Sequence, residues 1–174
     1  MRRFLENDRV RLRALEPTDL DLLYRWENDS SLWEVGNSIA PFSRKQLWDY
    51  IESYDGDIFS ARQLRLMIEL RETGETVGTV DFYEFDPFNS RSAVGVLVDG
   101  AYARRGIASE ALMLIAGYSR DFLGLHQLIA IIPARNEPSL GLFKKCGYRI
   151  SGRLRSWLKK GTRYEDAFML QLML

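Results

Sequence analysis

The feature that most constrains the fold is a change of hydrophobic period at Gly106. Before it, Ala93-Val94-Gly95-Val96-Leu97-Val98 is a short apolar run rich in β-branched residues, the composition of a strand. After it, Ile107, Ala111, Leu114/Ile115, Tyr118 and Phe122 recur every three to four residues, with Ser109 and Glu110 early and Arg120 late. That is an amphipathic helix whose charges suit its dipole. A strand feeding a helix through one tight loop belongs to a fold that layers helices on a sheet.

The rest of the chain supplies the layers. Val10-Arg11-Leu12-Arg13-Ala14-Leu15 alternates apolar and basic side chains, as a half-buried strand does. Pro17-Thr18-Asp19 opens a helix with Leu20, Leu23 and Tyr24 on one face, and Ser43 is the N-cap of a second, carrying Leu47, Trp48 and Ile51. Residues 63–70 and 77–85 flank Glu72-Thr73-Gly74-Glu75 as an antiparallel hairpin, and Asp86-Pro87-Phe88-Asn89-Ser90 turns into the run at Ala93, so three consecutive strands form a meander. Beyond Gly124, residues 128–132 read as a buried strand. Leu140, Leu142, Phe143 and Cys146 mark a helix that stops at Gly147, and residues 150–154 and 168–172 close the chain as strands. The order β-α-α-β-β-β-α-β-α-β-β describes a mixed α/β sheet.

With 174 residues, no repeat and no Pro/Gly/Ser-rich linker, residues 1–174 are expected to form a single domain. One cysteine and one histidine exclude an internal disulfide and a transition-metal site of the usual ligand types. Met1-Arg2-Arg3-Phe4-Leu5-Glu6-Asn7-Asp8 turns acidic before an apolar leader could form, and no run approaches the ~18 apolar residues of a membrane span, so a cytoplasmic protein without a membrane partner is expected. The formal net charge of zero hides a strong asymmetry. Residues 1–99 hold 12 basic and 19 acidic side chains, whereas residues 100–164 hold 12 and 3.

The loop at the period change carries the first chemical signal. In Asp99-Gly100-Ala101-Tyr102-Ala103-Arg104-Arg105-Gly106-Ile107-Ala108-Ser109, the first helical turn holds small residues, so its backbone N–H groups and the positive end of the dipole are open to an anion. Arg104 and Arg105 add positive charge. The Gly-Lys-Ser/Thr of a Walker loop and the three glycines of a dinucleotide loop are both missing. An ordinary strand-turn-helix with a solvated arginine pair fits this segment equally well.

The partner segment is Ile131-Ile132-Pro133-Ala134-Arg135-Asn136-Glu137-Pro138-Ser139-Leu140-Gly141-Leu142-Phe143-Lys144-Lys145-Cys146-Gly147-Tyr148. Together with Arg-Arg-Gly-Ile-Ala it resembles the GNAT superfamily of acetyl-CoA-dependent N-acetyltransferases. Their pattern is Gln/Arg-x-x-Gly-x-Gly/Ala and, later, Asn-x-x-Ser/Ala-x-x-Leu-Tyr-x-Lys-x-Gly-Phe/Tyr. The tail Gly161-Thr162-Arg163-Tyr164-Glu165-Asp166-Ala167-Phe168-Met169-Leu170 is similar to the branch holding spermidine and ribosomal-protein N-terminal acetyltransferases.

The resemblance implies a single-domain α/β fold, with a mostly antiparallel central sheet flanked by helices and a splayed parallel strand pair as the cofactor cleft. It implies acetyl-CoA as co-substrate, no metal, and direct transfer to a primary amine of a polyamine-like small molecule or a protein N-terminus. A homodimer is the candidate assembly, and nucleic acid is disfavoured. Backbone groups of Arg104, Arg105, Gly106, Ile107, Ala108 and Ser109 would hold the pyrophosphate. A bulged strand at Val96, Leu97 and Val98 would offer an N–H to the thioester carbonyl. Asn136 would bond the pantetheine arm, or cap an Asx turn before Pro138, and Lys145 joins the cofactor set.

Departures from the pattern limit the catalytic assignment. Ala103 and Arg104 replace the usual Gln/Arg and glycine of the loop. Phe143 stands where many members have a proton-donating Tyr, and Ala93 where several have a basic Glu. A thiolate of ordinary pKa near 8.5 is a tolerable leaving group, so water, Ser139 or no acid at all could suffice. Glu84 is preferred over Asp81 as the base, the two being expected on opposite faces of their strand. These losses keep open a catalytically degenerate CoA-binding module. An RNA-binding protein using the basic segment is a third reading, weakened by the lack of interleaved aromatics.

Overall fold

The computed structural model describes residues 3–33 and 38–174. A seven-stranded sheet runs through it in the order β1-β2-β3-β4-β5-β7-β6. Its strands are β1 (Val10–Ala14), β2 (Leu64–Leu70), β3 (Thr76–Asp86), β4 (Arg91–Val98), β5 (Gln127–Pro133), β6 (Arg149–Lys160) and β7 (Arg163–Met173). Every neighbouring pair is antiparallel except β4 and β5. A hairpin can join antiparallel neighbours, but a parallel pair needs a crossover. Here the crossover is α5 (Ile107–Asp121), the helix announced by the period change.

The expected helices are present, joined by two short ones. A 3-10 turn at Pro17–Asp19 leads into α1 (Leu20–Glu27), followed by α2 (Ser30–Trp33), α3 (Arg44–Glu52) and α4 (Ile58–Ala61). Ser43 caps α3 as expected, its Oγ accepting the Gln46 N–H at 3.1 Å. Helices α2 and α4 are four residues each, too short for a 3.6-residue period to register in the sequence. The helix α6 (Glu137–Lys145) follows β5. Strand β6 extends six residues beyond the expected Leu154, through the run Arg155-Ser156-Trp157-Leu158-Lys159-Lys160. That segment is largely exposed, so the apolar alternation that identifies a half-buried strand is weak there.

Two layers cover the sheet. On one face Val94, Leu128, Ala130 and Leu170 pack with Ile107, Ala111, Leu112 and Ile115 of α5 and with Leu140 and Phe143 of α6. On the other, Leu23 and Trp26 of α1 and Leu47 and Ile51 of α3 close over Met67, with Leu97 of β4 packed against them. The helices of the acidic N-terminal part and those of the basic part therefore cover opposite faces of the same sheet.

Candidate active site

Strands β4 and β5 form a V. Their parallel register holds for three pairs, Arg91 with Gln127, Ser92 with Leu128 and Ala93 with Ile129. Beyond Ala93, β4 stays with β3 as far as Val98, while β5 stays with β7 as far as Pro133. The backbone groups on the facing edges lose each other as ladder partners, and the gap opens toward the loop before α5.

The expected bulge in β4 is absent. From Ala93 to Val98 each residue pairs in step with β3, and the extra residues stand on β3, at Val77 and between Tyr83 and Asp86. Gly78 explains how β4 manages without one. A side chain there would put its Cβ 2.1 Å from the Leu97 carbonyl oxygen, so only glycine lets that carbonyl lean over β3. All peptides described are trans, and the N–H of a trans peptide points opposite its C=O. The Val98 N–H consequently faces away from β3, into the gap.

At the mouth of the V lies a cavity of about 230 Å³. Val98 forms its strand side, Arg104, Gly106, Ile107, Ala108 and Ser109 its loop and helix side, and Pro138, Leu142 and Lys145 its α6 side. The α6 residues are spaced at helical intervals and so present one face. The first helical hydrogen bond of α5 is Glu110 N–H to Gly106 C=O, at 3.1 Å, which leaves the earlier N–H groups of the turn outside the helical ladder. Arg104 and Gly106 are both left-handed, with φ of 61° and 79°, and Gly106 is exposed. A small-residue cradle at a helix N-terminus, with Arg104 and Lys145 beside it, fits a pyrophosphate.

Seven of the expected cofactor residues thus come together: Val98, Arg104, Gly106, Ile107, Ala108, Ser109 and Lys145. Arg105 turns aside, its guanidinium 5.3 Å from the Tyr102 ring centre and bonded to the Ala101 carbonyl. Val96 packs on the α5/α6 core and Leu97 on the α1/α3 core, so only their backbone can serve the gap. Asn136 acts as the N-cap of α6, its Oδ1 accepting the Ser139 N–H at 3.2 Å. Neither Asn136 nor Ser139 lines the cavity. Phe143 is 3% exposed and meets Tyr148 edge-on at 4.9 Å, a core position.

The α1/α3 face of the sheet carries carboxylates. Residues that pair across the sheet share a face, so Asp81, Tyr83, Ala93, Gly95 and Ile129 lie on this side. Asp81 is engaged by Arg65, whose Nε donates to it at 2.7 Å and whose Nη1 donates to Glu27 at 2.9 Å. Burial works against the Arg65 charge, but the Asp81 carboxylate more than offsets it and holds the guanidinium pKa above its ordinary value. Burial also pushes the neighbouring Tyr50 phenol up to about 12. Tyr83 lies across Gly95, one ring carbon 3.8 Å from where a Cβ would stand. Its phenol is likewise raised by burial, so it stays protonated at neutral pH.

Glu84 and Asp81 were expected on opposite faces, and the β3 bulge overturns this. Glu84 is the inserted residue, at φ 47°, and it lines a cavity of about 440 Å³ with Ala93, Ile129, Met169 and Gln171. The added residue resets the alternation, which no period-2 reading can foresee. The cavity sits at the vertex of the V, on the same face as Asp81.

Asp99 links the two sides. Its Oδ2 accepts the Trp26 indole N–H at 2.9 Å and a bond from Arg25, both on α1, while Oδ1 accepts the Ala101 N–H in the loop. The bond from Trp26, then that from Ala101, and the Arg25 charge hold its carboxyl below the usual range. Nothing in the local sequence marks the link from Asp99 to α1, because Trp26 and Arg25 are more than seventy residues away.

Comparison with known proteins places this geometry. The Acetyltransferase (GNAT) domain family matches residues 9–149. The chain is 29% identical over 170 residues to an uncharacterised N-acetyltransferase of Bacillus licheniformis, covering 97% of this chain and 95% of that one. It is 25% identical over 161 residues to the spermidine N(1)-acetyltransferase of Escherichia coli K12, covering 92% and 84%. Its fold superposes on the spermidine N-acetyltransferase of Vibrio cholerae, solved with CoA and spermine, at a TM-score of 0.86 with 20% identity, over 96% of each chain. A family match across most of the length, on a sheet opened by one splayed parallel pair, makes the chain a member of the GNAT family of N-acetyltransferases.

Proposed function

We propose that the protein transfers the acetyl group of acetyl-CoA to a primary amine of a small polycationic molecule, the two substrates entering the V from opposite faces of the sheet. The observation that carries this reading is the division of the gap. The anion-binding loop and α6 flank it on one side, and a carboxylate-rich face lies on the other. GNAT proteins use acetyl-CoA, and the cradle at Gly106 suits its pyrophosphate. The small cationic acceptor rests on Asp81 and Glu27, two carboxylates bonded to a single guanidinium, and on the similarity to spermidine acetyltransferases.

In this reading the Val98 N–H donates a hydrogen bond to the thioester oxygen as negative charge develops there. The neutral amine nitrogen bonds to the acetyl carbon, the C–S bond breaks, and the amine loses one proton. A thiolate of ordinary pKa near 8.5 leaves without obligatory protonation, so Phe143 is tolerable. Ala93 and Val98 are five residues apart, roughly 17 Å of strand, so Glu84 at the vertex takes the proton only along a chain of waters through the gap. Asn136 and Ser139 act on this site by fixing the first turn of α6, whose next residues wall the cavity.

An amine panel read by thiol release tests the assignment. Polyamines are expected to raise CoA release well above background, with peptide N-termini next. Glu84→Gln is expected to lower kcat tenfold or more. A protein that binds acetyl-CoA but acetylates no amine would instead be the CoA-binding module. Self-association is expected as well, since β6 leaves one sheet edge unpaired by any described strand, and sedimentation would measure it.

A further inference from the structure

We infer that Arg9 is a positioning residue for the acetyl-CoA loop, setting the direction of the peptide that presents the Gly106 N–H. The inference rests on the assignment of that loop to the pyrophosphate. Arg9 lies in the turn before β1, 96 positions from the loop, yet its Nη2 donates to the Arg105 carbonyl at 2.9 Å. Its Nη1 binds the carboxylate of Glu110, in the first turn of α5. Asn7 completes the clasp, donating from Nδ2 to the other Glu110 oxygen at 2.9 Å.

The clasp is itself held. The Oδ1 of Asn7 accepts the N–H groups of Arg9 and Val10, both at 2.9 Å. Arg71 then reaches across from the end of β2, its side chain donating to the Asn7 carbonyl at 2.8 Å and its backbone N–H to the Arg9 carbonyl at 2.9 Å. A guanidinium is a planar fork, so one side chain can fix a carbonyl and a carboxylate together.

Two consequences follow for the anion site. With its carbonyl held toward Arg9, the trans peptide between Arg105 and Gly106 must point the Gly106 N–H the other way, toward the cavity that Gly106 lines. Gly106, at φ 79°, has no Cβ to resist a peptide flip, so a hydrogen bond from outside the loop has to select one orientation. The second consequence is electrostatic. Glu110 suits the helix dipole, but it places a negative charge in the same turn that receives an anion. Arg9 compensates that charge.

Isothermal titration of acetyl-CoA at fixed salt into the full chain, with steady-state kinetics alongside, tests the inference on wild type, Arg9→Ala, Arg9→Lys and Arg9→Ala/Glu110→Gln. Arg9→Ala is expected to raise the acetyl-CoA Kd about tenfold, the scale of a lost charge-assisted bond. Its kcat at saturating acetyl-CoA and its KM for the amine should stay within about twofold. Adding Glu110→Gln should recover part of the affinity by removing the uncompensated charge. Arg9→Lys should lie between wild type and alanine, because lysine restores the charge without the fork. It carries the test if Arg9→Ala does not fold. An acetyl-CoA Kd within twofold of wild type in both single variants, or an amine KM that rises in parallel, overturns the inference while leaving the proposed function standing. A wild-type protein that binds no acetyl-CoA would overturn the proposed function instead.

Discussion

Gly78→Ala is the sharpest single test of how β3 and β4 shape the gap. The added methyl would stand 2.1 Å from the Leu97 oxygen, 3.0 Å from the Val98 Cα and 3.1 Å from the Leu97 carbonyl carbon, all backbone atoms. A tolerable carbon-to-oxygen approach is about 3.3 Å, so the two strands must move apart by roughly 1 Å. Overpacking of this kind costs about 1–3 kcal/mol. Backbone cannot rotate out of the way as a side chain can, so we expect the upper end, about 3 kcal/mol. For a chain of this size that lowers Tm by roughly 6–12 °C. The same movement carries the Val98 N–H away from the proposed position of the thioester, and loss of such a donor is worth about 10²–10³ in kcat. Partial displacement should therefore lower kcat tenfold or more, with a smaller change in acetyl-CoA affinity. Gly95→Ala is the matched control, since its nearest neighbour is a Tyr83 ring carbon at 3.8 Å, an ordinary contact. Its stability should lie within about 1 kcal/mol of wild type, on the stabilising side. A Gly78→Ala protein melting within about 2 °C of wild type with unchanged kcat would refute the reasoning.

Other substitutions probe separate parts of the argument. Gly106→Val should weaken acetyl-CoA binding at least tenfold by calorimetry, and Gly106→Asn much less, because the obstacle is the left-handed φ of 79° and asparagine tolerates that region. Neighbouring atoms matter less there, since a Cβ would meet Arg9 Nη1 at a comfortable 3.7 Å. Tyr148→Phe should raise Tm by about 2–4 °C, because the buried hydroxyl has no hydrogen-bond partner among the described residues and removing it saves about 1 kcal/mol. A lower Tm would mean that a buried water satisfies it. Asp99→Asn should lower Tm near neutral pH and converge with wild type in acid. The folded state holds the Asp99 carboxyl below its ordinary 3.8, so its stabilisation is present above that value and is lost as pH falls through the lowered one. Melting curves between about pH 7 and pH 2 would show the gap persisting if Trp26 and Arg25 do not favour the charged form.

Local signals carried the elements whose physics is local. The switch of period at Gly106, the Ser43 cap and the paired turns around Gly74 and Asn89 each act within a few residues, and the helices and meander they mark are present. Helices α2 and α4 escaped because four residues hold barely one turn. The β3 bulge escaped because it replaces one alternation with another at a single residue, Glu84, which carries no glycine to announce its φ of 47°.

What the chain determined by itself was the strand-loop-helix proposed to bind the anion and the charge division between its halves, both written in contiguous residues. What only the tertiary structure decided was which groups face the gap. Gly78 reads in sequence as one more strand glycine until the Leu97 carbonyl is seen above it. Arg9 reads as an ordinary basic residue before a strand until its guanidinium is found on the Arg105 carbonyl. Glu84 took the Asp81 face because it is itself the residue inserted in β3, at a φ of 47°. Each depends on a carbonyl, a register or a partner brought near by pairing between distant segments, and composition and spacing carry no record of such proximity.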